Sequence, residues 1–300
     1  MRVVYWGNRQ NVFSNRHFAA LLQTPCDIAA VVDVPPAKRA STNPAGLAGA
    51  PSFADIAAER AIPYFAPDSP NAPEFIAELR PLQPDLYIAV GYMNLLKEEV
   101  LGLARVGAVN FHASLLPAYR GKHPVFWALR NGEKWAGLTV HALSLGLDTG
   151  DILYQVKVRT RKRDSVERLY DRIMAKSVTL IPRLIADAAA GRLHGRAQAA
   201  EGASYYSSVK SEDFALSWSQ PAEQIRRWIY TTPGKCFITI NGVRFFPLEA
   251  EATADSWQPG TLLAIGRRYV TVATGQGAIR LGRVRLETGE VKKLRDCPVW

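Results

Sequence analysis

Cysteine is scarce in this chain: three in 300 residues, at Cys26, Cys236 and Cys297. Their odd number and wide spacing argue against a disulfide framework and against a zinc site, so no metal is expected. Such usage suits a reducing cytoplasm, the expected location. Long apolar runs are missing too, and none approaches the roughly 20 residues that cross a bilayer. The opening Met-Arg-Val-Val-Tyr-Trp-Gly lacks the apolar core and cleavage site of a signal peptide and reads as a first strand. The turn after it, Gly7-Asn-Arg-Gln-Asn-Val, carries one glycine, which excludes the glycine-rich dinucleotide fingerprint and argues against a nicotinamide cofactor. Acidic residues are outnumbered, 27 against 37 Lys and Arg, for a net charge of +10. Before Tyr205 the count is 24 basic and 18 acidic; from Tyr205 it is 13 and 9, so the excess (+6 and +4) is spread along the chain.

What is present reads as an α/β chain. Residues 2–6 and 28–34 are short apolar runs rich in β-branched side chains, as buried parallel strands should be. Asn15 to Leu22, Phe53 to Arg60 and Ala72 to Leu79 have helical spacing, and Leu86 to Gly91 is a further strand. Residues 35–51 form a loop too long for a simple connector. Gly137 to His141 is a strand, where His141 alternates with apolar neighbours and takes a structural or pocket-edge role. Ser165 to Ala188 reads as one long amphipathic helix entered through a modest cap. Residues 191–204, rich in Gly, Ala and charge, form a linker between a domain at 1–190 and a second at 205–300. Beyond Tyr205, β-like segments begin at Phe237, Val243, Thr261, Tyr269 and Ala278, separated by turn signals such as Asn241-Gly242, which suggests a small barrel. Two basic clusters, Lys157 to Arg163 and Arg267-Arg268 with Arg280, Arg283 and Arg285, read first as solvated strand faces and loops, and otherwise as a surface for an anionic partner such as the phosphates of RNA or of a nucleotide sugar.

The chemistry concentrates in Asn110-Phe-His112-Ala-Ser114-Leu-Leu-Pro117 and in Gly146-Leu-Asp148-Thr-Gly150. On a strand, Asn110 and His112 point to the same face. A strand running through Arg105 to Asn110 carries them to its carboxyl end, where open α/β sheets place their sites. A lone histidine or a lone Leu-Asp-Thr-Gly turn means little. Together, a fixed amide donor, an imidazole and a carboxylate supply what acyl transfer to an amine needs: an oxyanion donor, a proton carrier and a group that orients and charges the imidazole.

That joint pattern resembles the 10-formyltetrahydrofolate-dependent formyltransferase family over almost the whole chain. The resemblance implies that Asn110, His112 and Asp148 are catalytic and that 10-formyltetrahydrofolate is the co-substrate. It implies a folate-site loop at Ser114, Leu115, Leu116 and Pro117. Tyr92, Met93, Asn94 and Leu95 would line the pterin pocket, partly through backbone groups, with Leu145 and Gly146 beside them. The fold implied is a Rossmann-like N-terminal formyltransferase domain with a mostly parallel sheet, then a small OB-like β-barrel. Pro259-Gly-Thr-Leu and Val272-Ala-Thr-Gly resemble that second domain in methionyl-tRNA and some sugar formyltransferases.

The acceptor is less specified. Methionyl-tRNA formyltransferases usually show Arg-Gly-Ala-Ala-Pro where this chain has Arg120-Gly-Lys122-His123-Pro124, and Asn-Pro-Trp-Pro-Gly where it has Thr231-Thr-Pro-Gly-Lys235. In those enzymes a loop at the position of 35–51 contacts the tRNA acceptor end, and here only Lys38 and Arg39 are basic. The sequence alone therefore favours a small amine, such as a nucleotide-linked amino sugar. Methionyl-tRNA is the alternative. A 10-formyltetrahydrofolate hydrolase and a non-catalytic folate- or RNA-binding protein stand further off.

Overall fold

The structure, a computed structural model, describes residues 1–35 and 51–297. Most of the 35–51 loop, including Lys38 and Arg39, lies outside the described residues. The chain divides into two compact units. One comprises residues 1–121, 136–158 and 170–205; the other comprises 122–135, 159–169 and 206–300.

The first unit is built on a sheet whose inner strands at 2–7, 27–33 and 86–90 have apolar, buried centres. β1 (Arg2–Gly7), β2 (Asp27–Asp33) and β3 (Tyr64–Phe65) run parallel, as do β4 (Leu86–Val90) and β5 (Gly107–His112). After the short β6 (Arg120–Gly121), β7 (Trp135–Ala142) pairs antiparallel with β5, and β8 (Ile152–Arg159) closes the order β3-β2-β1-β4-β5-β7-β8. The chain winds outward from β1 to β3 and then crosses back to β4. Strand order thus reverses between β1 and β4, the place where open α/β sheets open a crevice.

Helices flank this sheet where the sequence supplies caps. α1 (Val12–Leu21) starts at Asn11, whose side chain accepts from the Phe13 N–H. α2 (Phe53–Glu59) starts at a reciprocal Ser52/Asp55 capping box, and α3 (Pro73–Leu79) has proline in its first turn. A short α4 (Glu98–Leu101) precedes β5. Trp6 is fully buried and meets Phe75, Tyr87 and Tyr92 edge-on at 5.2–6.2 Å between ring centroids, which ties the end of β1 to the segment after β4.

The expected single helix over 165–188 is two helices. After α5 (Pro124–Asn131) come α6 (Val166–Ser177) and α7 (Leu180–Ala189), with Val178-Thr179 between the last pair. Pro182 explains the break. It has no N–H to give the carbonyl of Val178, and its ring crowds that turn. Apolar periodicity continues across the interruption, so pattern alone joins the two segments.

In the second unit, α8 (Ala222–Thr231) buries Ile225, Trp228 and Ile229 and packs against α5. The guanidinium of Arg130 lies 3.3 Å from the centre of the Trp228 ring. Short β9 (Tyr205–Tyr206) leads into this region, where Trp127 stacks on Tyr206. The strands that follow are β10 (Ile238–Ile240), β11 (Val243–Pro247), β12 (Ala250–Thr253), β13 (Leu262–Ile265), β14 (Val270–Ala273), β15 (Ala278–Leu281), β16 (Arg283–Leu286) and β17 (Val291–Lys293). They form two antiparallel four-stranded sheets, β10-β11-β16-β17 and β12-β15-β14-β13, around one core. Three of them, β12, β16 and β17, escape the sequence reading. In β16, Val284 is fully buried between the exposed Arg283 and half-buried Arg285, so a strand with one inward residue looks like a charge cluster.

Candidate active site

Asn110 and His112 occupy the carboxyl end of β5, and β7 lies directly opposite: Asn110 faces His141 across the ladder and His112 faces Thr139. The loop leaving β7 returns at Asp148. Its carboxylate Oδ1 lies 3.6 Å from His112 Nδ1, 3.4 Å from His141 Nε2 and 3.4 Å from Asn110 Nδ2. The three residues read from sequence therefore converge, and His141 joins them. Both imidazoles and the carboxylate are buried. The signal for His141 was present in its strand position, but period alone does not say which neighbour the ring meets.

Hydrogen bonds fix the tautomers. His112 Nε2 is 2.8 Å from the Tyr119 carbonyl, which only accepts, so Nε2 carries the proton and the Nδ1 lone pair faces Asp148. His141 Nδ1 donates to the Ala142 carbonyl at 2.8 Å, leaving Nε2 to accept from Asn110 Nδ2 at 3.1 Å. The Asn110 amide is thus aimed by a good bond to His141 and a longer one to Asp148. The longer is the one a developing oxyanion would replace. Asp148 Oδ2 accepts from the Gly121 N–H at 2.9 Å, and the Asp148 backbone sits at φ 54°, a left-handed conformation that aspartate tolerates better than most residues.

Electrostatics here differ from the expectation that Asp148 keeps His112 charged. Burial lowers the His112 pKa below its ordinary 6.5, and Asp148 and the Tyr119 carbonyl offset this only in part. For Asp148, burial pushes the carboxyl up, but the neighbouring His141, the charge of His112 and the Gly121 N–H together bring it below the usual range. Near neutrality the pair is therefore a carboxylate beside a neutral imidazole, ready to receive a proton.

The residues implied for the folate behave differently from one another. Met93, Leu95 and Leu145 are exposed large apolar side chains, and Leu147 is another. Gly146 is exposed as well, whereas Tyr92 and Asn94 are half-buried. Asn71 holds the 92–97 segment, donating to the Leu95 carbonyl and accepting from the Lys97 N–H. At the end of β4, Gly91 has φ 66°, and a Cβ there would stand 3.1 Å from Ser14 Oγ, so the turn needs glycine. Ser114 and Leu116 are turned inward. The Ser114 hydroxyl donates to the Ala118 carbonyl, and the Leu116 backbone is held by Thr139 and Gln155. Leu115 and Pro117 remain half-exposed, after a cis Leu116-Pro117 bond.

A family model described as "Formyl transferase" matches residues 1–185, and one described as "Formyl transferase, C-terminal domain" matches residues 208–297. The methionyl-tRNA formyltransferase of Pseudomonas paraeruginosa (strain DSM 24068 / PA7) is 35% identical over 301 residues, 99% of this chain and 94% of that protein. A crystal structure of the N-formyltransferase from Helicobacter canadensis, in complex with folinic acid and dTDP-3-aminofucose, matches with a TM-score of 0.68 at 16% identity, covering 94% of this chain and 98% of that one. Glycinamide ribonucleotide transformylase 1 from Symbiobacterium toebii matches with a TM-score of 0.53 at 27% identity, over 66% of this chain and 92% of its own.

Proposed function

Because this chain belongs to the formyl transferase family, we propose that it moves a formyl group from 10-formyltetrahydrofolate to the amino group of methionyl-tRNA. The observation that carries the acceptor is identity of 35% with a methionyl-tRNA formyltransferase along 99% of the chain, both domains included. Likeness to the sugar enzyme, at 16%, is a likeness of fold. The weight of identity thus reverses the preference for a small amine drawn from a few motif departures.

Folate supplies the formyl carbon and N10 as the leaving group. Asn110 donates to the oxygen as the amine adds and the carbonyl becomes an oxyanion. Its amide is already aimed, so little reorganisation is needed. The new C–N bond leaves a proton to be shed from the attacking nitrogen. The His112 Nδ1 lone pair and Asp148 Oδ1, 3.6 Å apart, receive it between them and return it as the bond to N10 breaks. His141 touches both Asn110 and Asp148 and keeps the donor pointed.

The lowered His112 pKa gives a pH signature. With both substrates saturating, kcat should fall on the acid side with a midpoint below 6.5, as the depressed imidazole takes up its proton. An acid limb centred above neutrality contradicts a neutral His112.

The amino-sugar reading keeps one specific support. Both motif departures fall in the second unit, where His123 is half-buried and its pKa is lowered by burial and then by Lys122 and Lys235. His123 therefore lies within electrostatic reach of both Lys122 and Lys235, which joins the two motif departures around one uncharged imidazole. Assays with methionyl-tRNA and with a panel of nucleotide-linked amino sugars, at low and physiological salt, separate the readings. Methionyl-tRNA should be formylated, with affinity falling steeply as salt rises because several phosphates are neutralised. Acceptance of an amino sugar alone, with a shallow salt slope, reverses the assignment.

A further inference from the structure

The segment marked by sequence as a linker supplies a side chain that reaches the carboxylate loop. Gln198 Nε2 lies 2.8 Å from the carbonyl oxygen of Asp148 and 2.8 Å from that of Gly150. Its Oε1 accepts from Arg120 Nε at 3.1 Å and Nη2 at 2.7 Å. A carboxamide has two N–H donors and two acceptor lone pairs, and here all four are used.

The far end of this bridge matters as much. Arg120 lies between Tyr119, whose carbonyl binds His112 Nε2, and Gly121, whose N–H binds Asp148 Oδ2. One side chain therefore couples the loop that carries Asp148 to the turn that orients both His112 and Asp148. The segment around Gln198 is itself anchored. Arg196 and Ile152 exchange two backbone bonds, and Ser204 receives the N–H groups of Tyr119 and Arg120 through its hydroxyl and carbonyl oxygens. Asp148 holds a left-handed backbone at φ 54°, and its carbonyl is one of the two that Gln198 binds.

We propose that Gln198 is a positioning residue for formyl transfer, setting the distance between Asp148 and His112 without touching either substrate. The inference rests on the reading of Asp148 and His112 as the proton-handling pair, so Asp148→Asn serves as the reference variant. Gln198→Ala removes the bridge. Gln198→Glu keeps an acceptor for Arg120 but turns oxygen toward two carbonyls that need donors. Both should lower kcat about 10- to 100-fold, the scale of a misplaced reacting group. KM for the folate and for the amine should stay within about twofold, since ground-state binding is untouched. Melting temperatures should fall only modestly, since the groups released are partly open to water.

The His112 titration, followed by NMR without substrates, gives a readout independent of the acceptor. Asp148 and His141 are the ionisable groups facing it. In Gln198→Ala its midpoint should move down, in the direction expected for Asp148→Asn, because the carboxylate that favours imidazolium is less well held. Full kcat in Asp148→Asn removes the catalytic reading and this proposal with it. An inactive Asp148→Asn beside a fully active Gln198→Ala or Gln198→Glu overturns the bridge alone. So does a loss of rate matched by a fall in melting temperature with an unmoved His112.

Discussion

Asn110→Ala should reduce kcat by about 10²–10³-fold, the usual effect of deleting one oxyanion donor. The loss belongs to the transition state. In the resting site the Asn110 amide is engaged with His141 and Asp148, so removing it takes little from ground-state binding. A folate such as 5-formyltetrahydrofolate should therefore raise the melting temperature of Asn110→Ala and of wild type alike, by mass action. Steady-state turnover and a thermal-shift titration check the two halves. Wild-type turnover in this variant ends the assignment of Asn110 as the oxyanion donor.

Gly150→Ala should damage both rate and stability. A Cβ at Gly150 would stand 1.9 Å from the carbonyl oxygen of Ala142, at the end of β7, and no flexible side chain is there to give way. Ala142 also donates its N–H to the Asp151 carbonyl at 2.9 Å, which closes the loop carrying Asp148. Relieving the overlap must open that closure and shift the carboxylate. Overpacking of this kind costs about 1–3 kcal/mol, and a displacement near 1 Å at a reacting group costs roughly 100-fold in rate. A melting curve and kcat both equal to wild type would show that the loop does not depend on this close approach.

One of the two basic clusters lies on the solvent side of a strand and its loop: Lys157 and Arg159 flank the buried Val158 on β8, and Arg161 to Arg163 occupy the turn beyond. Such faces attract an anionic partner without identifying it. The acceptor was the hardest feature to read for the same reason. A handful of motif positions says which residues differ, whereas acceptor choice depends on the sum of contacts along the whole chain.

Local sequence determined a good deal. Period-two spacing put Asn110 and His112 on one face of β5, apolar β-branched runs specified the buried parallel strands, and Ser52/Asp55 and Asn11 started helices where their side chains satisfy free N–H groups. These are interactions between near neighbours, and they are written in spacing. Tertiary structure decided the rest: that His141 stands across the ladder from Asn110, that burial outweighs Asp148 in setting the charge of His112, and that Gln198, in a stretch composed like a linker, meets a loop 50 residues before it. Each depends on a distance between segments far apart in the chain, or on how much water the fold removes. Neither quantity has a local pattern, because both come into being only when the sheet closes around the site.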